Sequence, residues 1–282
     1  MKDRLIIVRG GGDLATGVVQ SLFQVGFRVL ILEVDRPSAI RRQAALCEAV
    51  YDGTAIVENM TCRRCDSIDA LSSVWARQEI PLLVDPEGRA IQALQPWAVV
   101  DAILAKKNLG TNRSMARHTV ALGPGFTAGR DVDAVIETKR GHRLGRIIRD
   151  GAAAPNTGIP GIIAGYGKER VIHSEAAGFV YGLVRIGDSV KKGQPMAVLT
   201  KTLLPDGMAA TAAMGLPVPA SLTGLVRGLI RDGYYAPKGF KIADIDPRES
   251  EYHNCFTISD KARSLGGAVL TALLWLGRDD LV

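Results

Sequence analysis

Aromatic residues make up only 5% of this 282-residue chain. That scarcity argues against a platform for stacking single-stranded bases. Cysteines number four, and the first residues show no secretory apolar stretch with a cleavage site, so reduced thiols in a cytoplasmic setting are expected. A run of about 18 apolar residues, the length of a membrane span, is missing. The most apolar late stretch, residues 266–276, is shorter and reads as a packed helix. A long basic block is missing too, although net charge is +6 and the pI about 9.2. Dispersed positive charge favours anionic ligands such as phosphates, with neither nucleic acid nor membrane as partner. Cys62 and Cys65 form a single C-x-x-C without a second pair, and Cys47 and Cys255 are distant in sequence. A zinc site needs four ligands, so no metal site is expected. The pair is either a functional thiol pair, favoured as thiolate by the intervening arginines, or two incidental cysteines.

What is present begins with an α/β pattern. Residues 5–8, Leu-Ile-Ile-Val, read as a buried parallel strand. Leu14, Val18, Val19, Leu22 and Val25 have helical spacing, and Gly26 ends that helix. Residues 28–33 are the next strand, which completes a βαβ unit. Gly10, Gly12 and Ala15 fit G-x-G-x-x-[GA]: a tight turn, close approach of a pyrophosphate, and close helix–strand packing. Glu33 stands 21 residues after Gly12, where an acid commonly accepts hydrogen bonds from a ribose. Asp13 adjoins the phosphate position and repels an anion unless Arg9, Arg36, Arg41 and Arg42 offset it. The alternative is a purely structural turn with Asp13 capping the helix.

Later strands are expected at 80–85, 119–123 and 134–138, with a helix over 97–107. The region 1–150 therefore reads as a Rossmann-like, doubly wound parallel sheet. Its chemically densest stretch is 123–146. Gly123 and Gly125 open a glycine-rich loop able to donate N–H groups to an oxyanion. Asp131, Asp133 and Glu137 share one side of an extended segment, and His142 follows. Together they suit acid–base work, or each serves a local structural end. In residues 154–161, Asn156 and Thr157 present polar groups from a proline-fixed loop, which reads equally as a ligand loop or as a connection spanning 151–170.

The last third is a duplication. Gly178 and Gly224, Gly187 and Gly233, and Gly193 and Gly239 each stand 46 residues apart, and the apolar positions follow. The half-pattern resembles that of biotinyl and lipoyl carrier domains, which implies a β barrel-sandwich over 171–248. Residues 200–217 lack the Met-Lys-Met of a carrier, and Lys201 is badly placed, so biotinylation and lipoylation are not expected. Such a barrel docks a partner or closes over a neighbouring site. A C-terminal helix capped by Ser259 lies within 249–282 and is expected to pack on the α/β domain.

The stretches RGGGDLATG, AIRR, YDG, GPGFTAGRDVDAVIETKRGH, PNTGIPG and DIDPR together resemble the YqeB family, and the opening resembles the Rossmann part of the XdhC group. The resemblance implies an accessory protein that matures selenium-dependent molybdenum hydroxylases. Its ligand would be a nucleotide or the molybdopterin cofactor, and its partner a xanthine dehydrogenase-like apo-enzyme. Gly10, Gly12 and Ala15 would hold phosphate, and Glu33 a ribose or pterin group. Asp131, Asp133, Glu137 and His142 would line the reactive side. An NAD(P)-dependent oxidoreductase and a non-catalytic scaffold stay open as alternatives, as do a homo-oligomer and sulfur or selenium handling by Cys62 and Cys65.

Overall fold

The computed structural model describes residues 4–158 and 161–280, so Ile159 and Pro160 of the proline-fixed loop lie outside the described residues. The chain forms two compact units. Unit 1 comprises Met1–Pro37, Ala45–Thr157 and Ile258–Val282. Unit 2 comprises Ser38–Ala44 and Gly158–Thr257.

Unit 1 is mixed α/β. Its strands are β1 (Leu5–Arg9), β2 (Arg28–Glu33), β3 (Thr54–Val57), β4 (Met60–Cys65), β5 (Ile80–Val84), β6 (Ala98–Asp101), β7 (His118–Leu122), β8 (Thr127–Ala128), β9 (Ala134–Ile136), β10 (Ile147–Ile148) and β11 (Gly151–Ala152). Its helices are α1 (Asp13–Gln24), α2 (Ala49–Asp52), α3 (Leu71–Ala76), α4 (Arg89–Leu94) and α5 (Asp260–Leu276). Nine strands make one sheet in the order β10-β9-β7-β6-β1-β2-β5-β4-β3, while β8 pairs with β11. The strands from β9 to β4 run parallel. Both edges are antiparallel: β10 pairs with β9, and the β3–β4 hairpin closes the other side. The sheet is therefore mixed at its edges rather than wholly parallel.

Alternation along the strands sorts the core. Ile6, Val8, Val29 and Ile31 pack with residues of α1 and α5, whereas Ile7, Leu30, Leu32 and Val99 pack with residues of α3 and α4. Both faces are covered, which explains the continuous apolar runs. The α1 helix ends as its sequence dictates. Gly26 takes φ +91°, its N–H donates to Phe23 O, and the Phe27 N–H donates to Leu22 O. That is the Schellman pattern, which needs a left-handed residue after the last turn. Helices α1 and α5 approach through small residues: a Cβ on Gly266 would stand 2.2 Å from Gly17 O. Ser259 Oγ accepts the Ala262 N–H at the start of α5.

One expected element is corrected. Residues 97–107 form no helix; β6 occupies 98–101 instead. Val100 packs on one face of the sheet and Val99 on the other. A run buried on both sides mimics helical spacing over so short a stretch.

Unit 2 is antiparallel. It holds β12 (Val171–His173), β13 (Gly178–Gly182), β14 (Ser189–Val190), β15 (Pro195–Thr200), β16 (Leu216–Pro219), β17 (Gly224–Leu229), β18 (Tyr234–Ala236) and β19 (Lys241–Asp246). Two four-stranded sheets run β12-β19-β17-β14 and β16-β15-β13-β18. A shift of 46 residues carries β13 onto β17 and β15 onto β19, and it exchanges the two sheets. Each sheet thus mixes strands from both copies of the duplication. One core, including Val180, Met196, Val226 and Ile242, is shared between them. The DIDPR segment closes this unit electrostatically. Asp244 faces Arg170, and the fully buried Asp246 faces Arg227 and Arg248. Burial pushes the Asp246 carboxyl up, but the bonds and charge of Arg248 and the charge of Arg227 outweigh it and hold the group below its ordinary value.

Candidate functional site

Parallel strands put their following loops on one edge of the sheet, where α/β proteins bind ligands. Here that edge carries the turn after β1, Glu33 at the end of β2, Asp85 after β5, Asp101 at the end of β6, the 123–126 loop after β7 and the 137–146 loop after β9.

The glycine turn is tightly held. Gly10 takes φ +94°, and a Cβ there would stand 3.0 Å from the Ala102 carbonyl. The Gly11 N–H donates to Glu33 Oε1 at 2.8 Å, and the Val34 N–H donates to Oε2. Burial pushes the Glu33 carboxyl above its ordinary value, against the pull of these two donors. Ala15 is wholly buried in the core. Gly12 differs: it is extended, nothing would meet a Cβ there within 4 Å, and it precedes the first turn of α1 with Asp13. Of the five residues assigned to this turn, Gly12 borders open space, with Asp13 next to it in the first turn of α1, while Gly10, Ala15 and Glu33 serve the turn itself. Arg41 and Arg42 belong to unit 2. Arg41 donates to Asn254 O and Thr257 O, and Arg42 to Leu229 O.

The other acids of this edge are also engaged. Asp85 accepts the Arg89 and Ala90 N–H groups that start α4. Asp101, buried, accepts from Thr111 Oγ1 at 2.5 Å and from the Ile103 N–H, while Arg9 donates to Thr111. Burial pushes the Asp101 carboxyl up. Glu137, 4% exposed, accepts the Lys139 and Ala154 N–H groups, each at 2.8 Å. It is a clamp between two loop segments rather than an exposed base. Gly123 and Gly125 are packed as well: Cβ atoms there would strike Ala153 Cβ and the Lys107 backbone.

The four residues of the expected reactive cluster divide. Asp131 and Asp133 precede β9, whereas Glu137 and His142 follow it, about 10 Å along the strand. Asp131 accepts the Thr127 N–H, and Arg130 beside it holds its carboxyl down. Asp133 pairs with Arg113 and accepts the Thr119 N–H and hydroxyl. Both stand at the amino edge, away from the ligand edge. Asn156 and Thr157 are exposed just beyond Pro155.

Glu137, His142 and Pro155 line a groove of about 1000 Å³. Sequence reasoning missed its cations, Lys139, Arg140, Arg143, Arg146 and Arg149. It also missed Lys261, half-buried in the first turn of α5. Burial pulls the Lys261 amine below its ordinary value and Arg140 adds to that, while Asp13 and Glu137 oppose them. Lys261 therefore lies within electrostatic reach of both the glycine turn and the loop after β9. A lysine is unfavourable in a first turn, and that was the legible signal.

The cysteines are all buried. On the extended β4, Cys62 packs with one face of the sheet and Cys65 with the other. The two thiols cannot pair or share a metal from opposite faces. Burial pushes both upward, away from thiolate. Among the described residues no group of three or more His, Cys, Asp or Glu is placed to hold a metal, and no helix is long and apolar enough to cross a membrane.

Unit 1 thus defines the class: an α/β protein whose ligand edge is lined by engaged acids and open cations. The chain is 46% identical over 273 residues to a protein of Escherichia coli (strain K12) named "Uncharacterized protein YqeB". This match covers 97% of the chain and supports the YqeB family. The chain spans about half, 48%, of that relative's length. No family model matches. Among solved structures, the ectoine utilization protein EutE (DoeB) of Ruegeria pomeroyi with product bound is 13% identical at TM-score 0.26, covering 86% of this chain and 84% of that one. An aspartoacylase family protein of Mesorhizobium loti is 12% identical at TM-score 0.24, covering 80% and 59%. Likeness at that level carries no argument.

Proposed function

We propose that this chain is an accessory factor for maturation of selenium-dependent molybdenum hydroxylases and binds a phosphate-bearing ligand, a nucleotide or the molybdopterin cofactor, at the ligand edge of a Rossmann-like unit 1. The observation that carries the reading is the open approach to Gly12 at the start of α1, on the same edge as the cationic loop after β9. Helix N-termini favour negative charge, and Lys261 offsets Asp13 there. The pathway rests on the family resemblance of the sequence motifs, and the match to the E. coli relative supports that resemblance alone. Unit 2 is read as a barrel-sandwich domain without the carrier lysine, serving to dock the apo-hydroxylase. The exchange of its two sheets under the 46-residue shift supports that reading.

Thermal shift with ATP, CTP, NAD(P)H and molybdopterin, on the wild type and Gly12→Asp, tests it. A stabilisation by one of the four, lost in the variant, is expected. A shift by NAD(P)H alone would turn the reading to an oxidoreductase, and silence with all four would leave the turn a packing device.

A further inference from the structure

The loop after β9 holds its cations in a fixed frame. Ile136 and Ile147 pair across β9 and β10. Within the loop, the Glu137 N–H donates to Arg146 O and the Gly145 N–H to Glu137 O. Gly145 lies against Ser264 of α5, and Arg140 makes a bidentate pair with Asp260. The backbone that presents the cations is therefore pre-organised, which reduces the ordering cost of binding.

The charges in the groove do not balance. Five lining side chains are Lys or Arg, against two carboxylates, Glu137 and Asp150. Glu137 is buried and turned to backbone N–H donors. Arg140 is engaged by Asp260, and Arg149 lies 4.8 Å over the Trp275 ring. Lys139, Arg143 and Arg146 have no carboxylate partner among the described residues. A cleft lined by one sign of charge focuses its field, and a guanidinium fork matches a phosphate in bidentate fashion. The volume suits a small molecule, and no Phe, Tyr or Trp is among the described residues that line the groove.

We propose that this groove is a separate anion site for a small molecule bearing two or more linked phosphates, held by Lys139, Arg143 and Arg146 with His142 at the rim. One phosphate would leave part of the three cations lining the groove uncompensated, whereas a pyrophosphate answers them. The site goes beyond the reading above, because neither Gly12 nor Glu33 takes part.

Isothermal titration of the full chain with inorganic pyrophosphate at low ionic strength tests it. Arg143→Ala/Arg146→Ala is compared with Lys191→Ala/Lys192→Ala, which removes the same charge from exposed positions of unit 2. Both pairs are exposed, and melting curves confirm folding. Pyrophosphate should bind more tightly than orthophosphate. Binding should weaken at least about tenfold in the arginine variant and stay within about twofold in the lysine variant. Arg143→Lys/Arg146→Lys should restore part of it. No binding by the wild type, equal loss in both alanine variants, or full retention without the arginines would overturn the site. Tighter binding of a single-stranded oligonucleotide through the same arginines would overturn it in favour of nucleic acid. Gly12→Asp keeps the two ideas apart: pyrophosphate binding that survives it and fails without the arginines supports the groove whatever becomes of the turn.

Discussion

Two loops leave the same edge of one sheet and differ in what they do with charge. The turn after β1 folds inward: Glu33 takes the Gly11 N–H, and Gly10 lies against Ala102. The loop after β9 also spends its acid on backbone, through Glu137, yet leaves its cations outward. Along the edge, Glu33, Asp85, Asp101 and Glu137 all accept backbone N–H groups. Positive charge remains because negative charge has been used to build the loops. A glycine pattern therefore marks a tight turn first, and a ligand only where room is left, which here means Gly12.

The largest expected break is Glu137→Ala. It leaves the Lys139 and Ala154 N–H groups without their acceptor. At about 1–3 kcal/mol for each buried unsatisfied donor, chemical denaturation should show a loss on the order of 2–4 kcal/mol, with pyrophosphate binding weakened as the loop loosens. Glu137→Gln retains one acceptor and should recover part of both. Next comes Gly10→Ala. Its φ of +94° and the backbone 3.0 Å away predict a loss of about 1–3 kcal/mol. Gly12→Ala should be neutral or stabilising by up to about 1 kcal/mol, because its conformation is open to any residue. Equal costs at the two glycines would erase the distinction drawn between them.

The strands, the βαβ unit and the 46-residue duplication were legible because each rests on local chemistry: apolar runs, a left-handed Gly26 and repeated glycines. The site was less so. Spacing along a strand says which face a residue takes but not which end of the strand it occupies, so Asp131 and Asp133 were grouped with Glu137. Cys62 and Cys65 illustrate the same limit, since C-x-x-C brings two thiols together on a helix or loop and separates them on β4. AIRR and YDG prove to be anchors: Arg41 and Arg42 hold carbonyls, and Tyr51 donates to Pro37 O. Arg143 and Arg146 were visible as letters, but that no carboxylate among the described residues pairs with them is a fact of three dimensions.

A smaller effect separates the loops by pH. Burial raises the Glu33 carboxyl in the folded chain, so the folded state holds that proton more tightly than the unfolded one. The resulting stabilisation is full below the unfolded value and is lost as pH rises through the folded one. Glu33→Gln removes this dependence. The difference in unfolding free energy between wild type and Glu33→Gln should therefore move against the wild type as pH rises from about 4 to 7. A difference that moves the other way would mean that the two N–H bonds outweigh burial.

The smallest expected effect in stability is the most selective in binding. His142 is exposed at the groove rim and no bond to its ring from the described residues ties it to the fold, so His142→Ala should leave stability within about 0.5 kcal/mol. Asp133→Asn weakens the Arg113 pair and the Thr119 bonds at the amino edge, so it should lower stability and leave pyrophosphate binding intact. His142→Ala should do the reverse, weakening pyrophosphate less than Arg143→Ala/Arg146→Ala does. If both substitutions weakened binding alike, the two ends of β9 would be acting as one site, and the separation of Asp131 and Asp133 from Glu137 and His142 would lose its functional meaning.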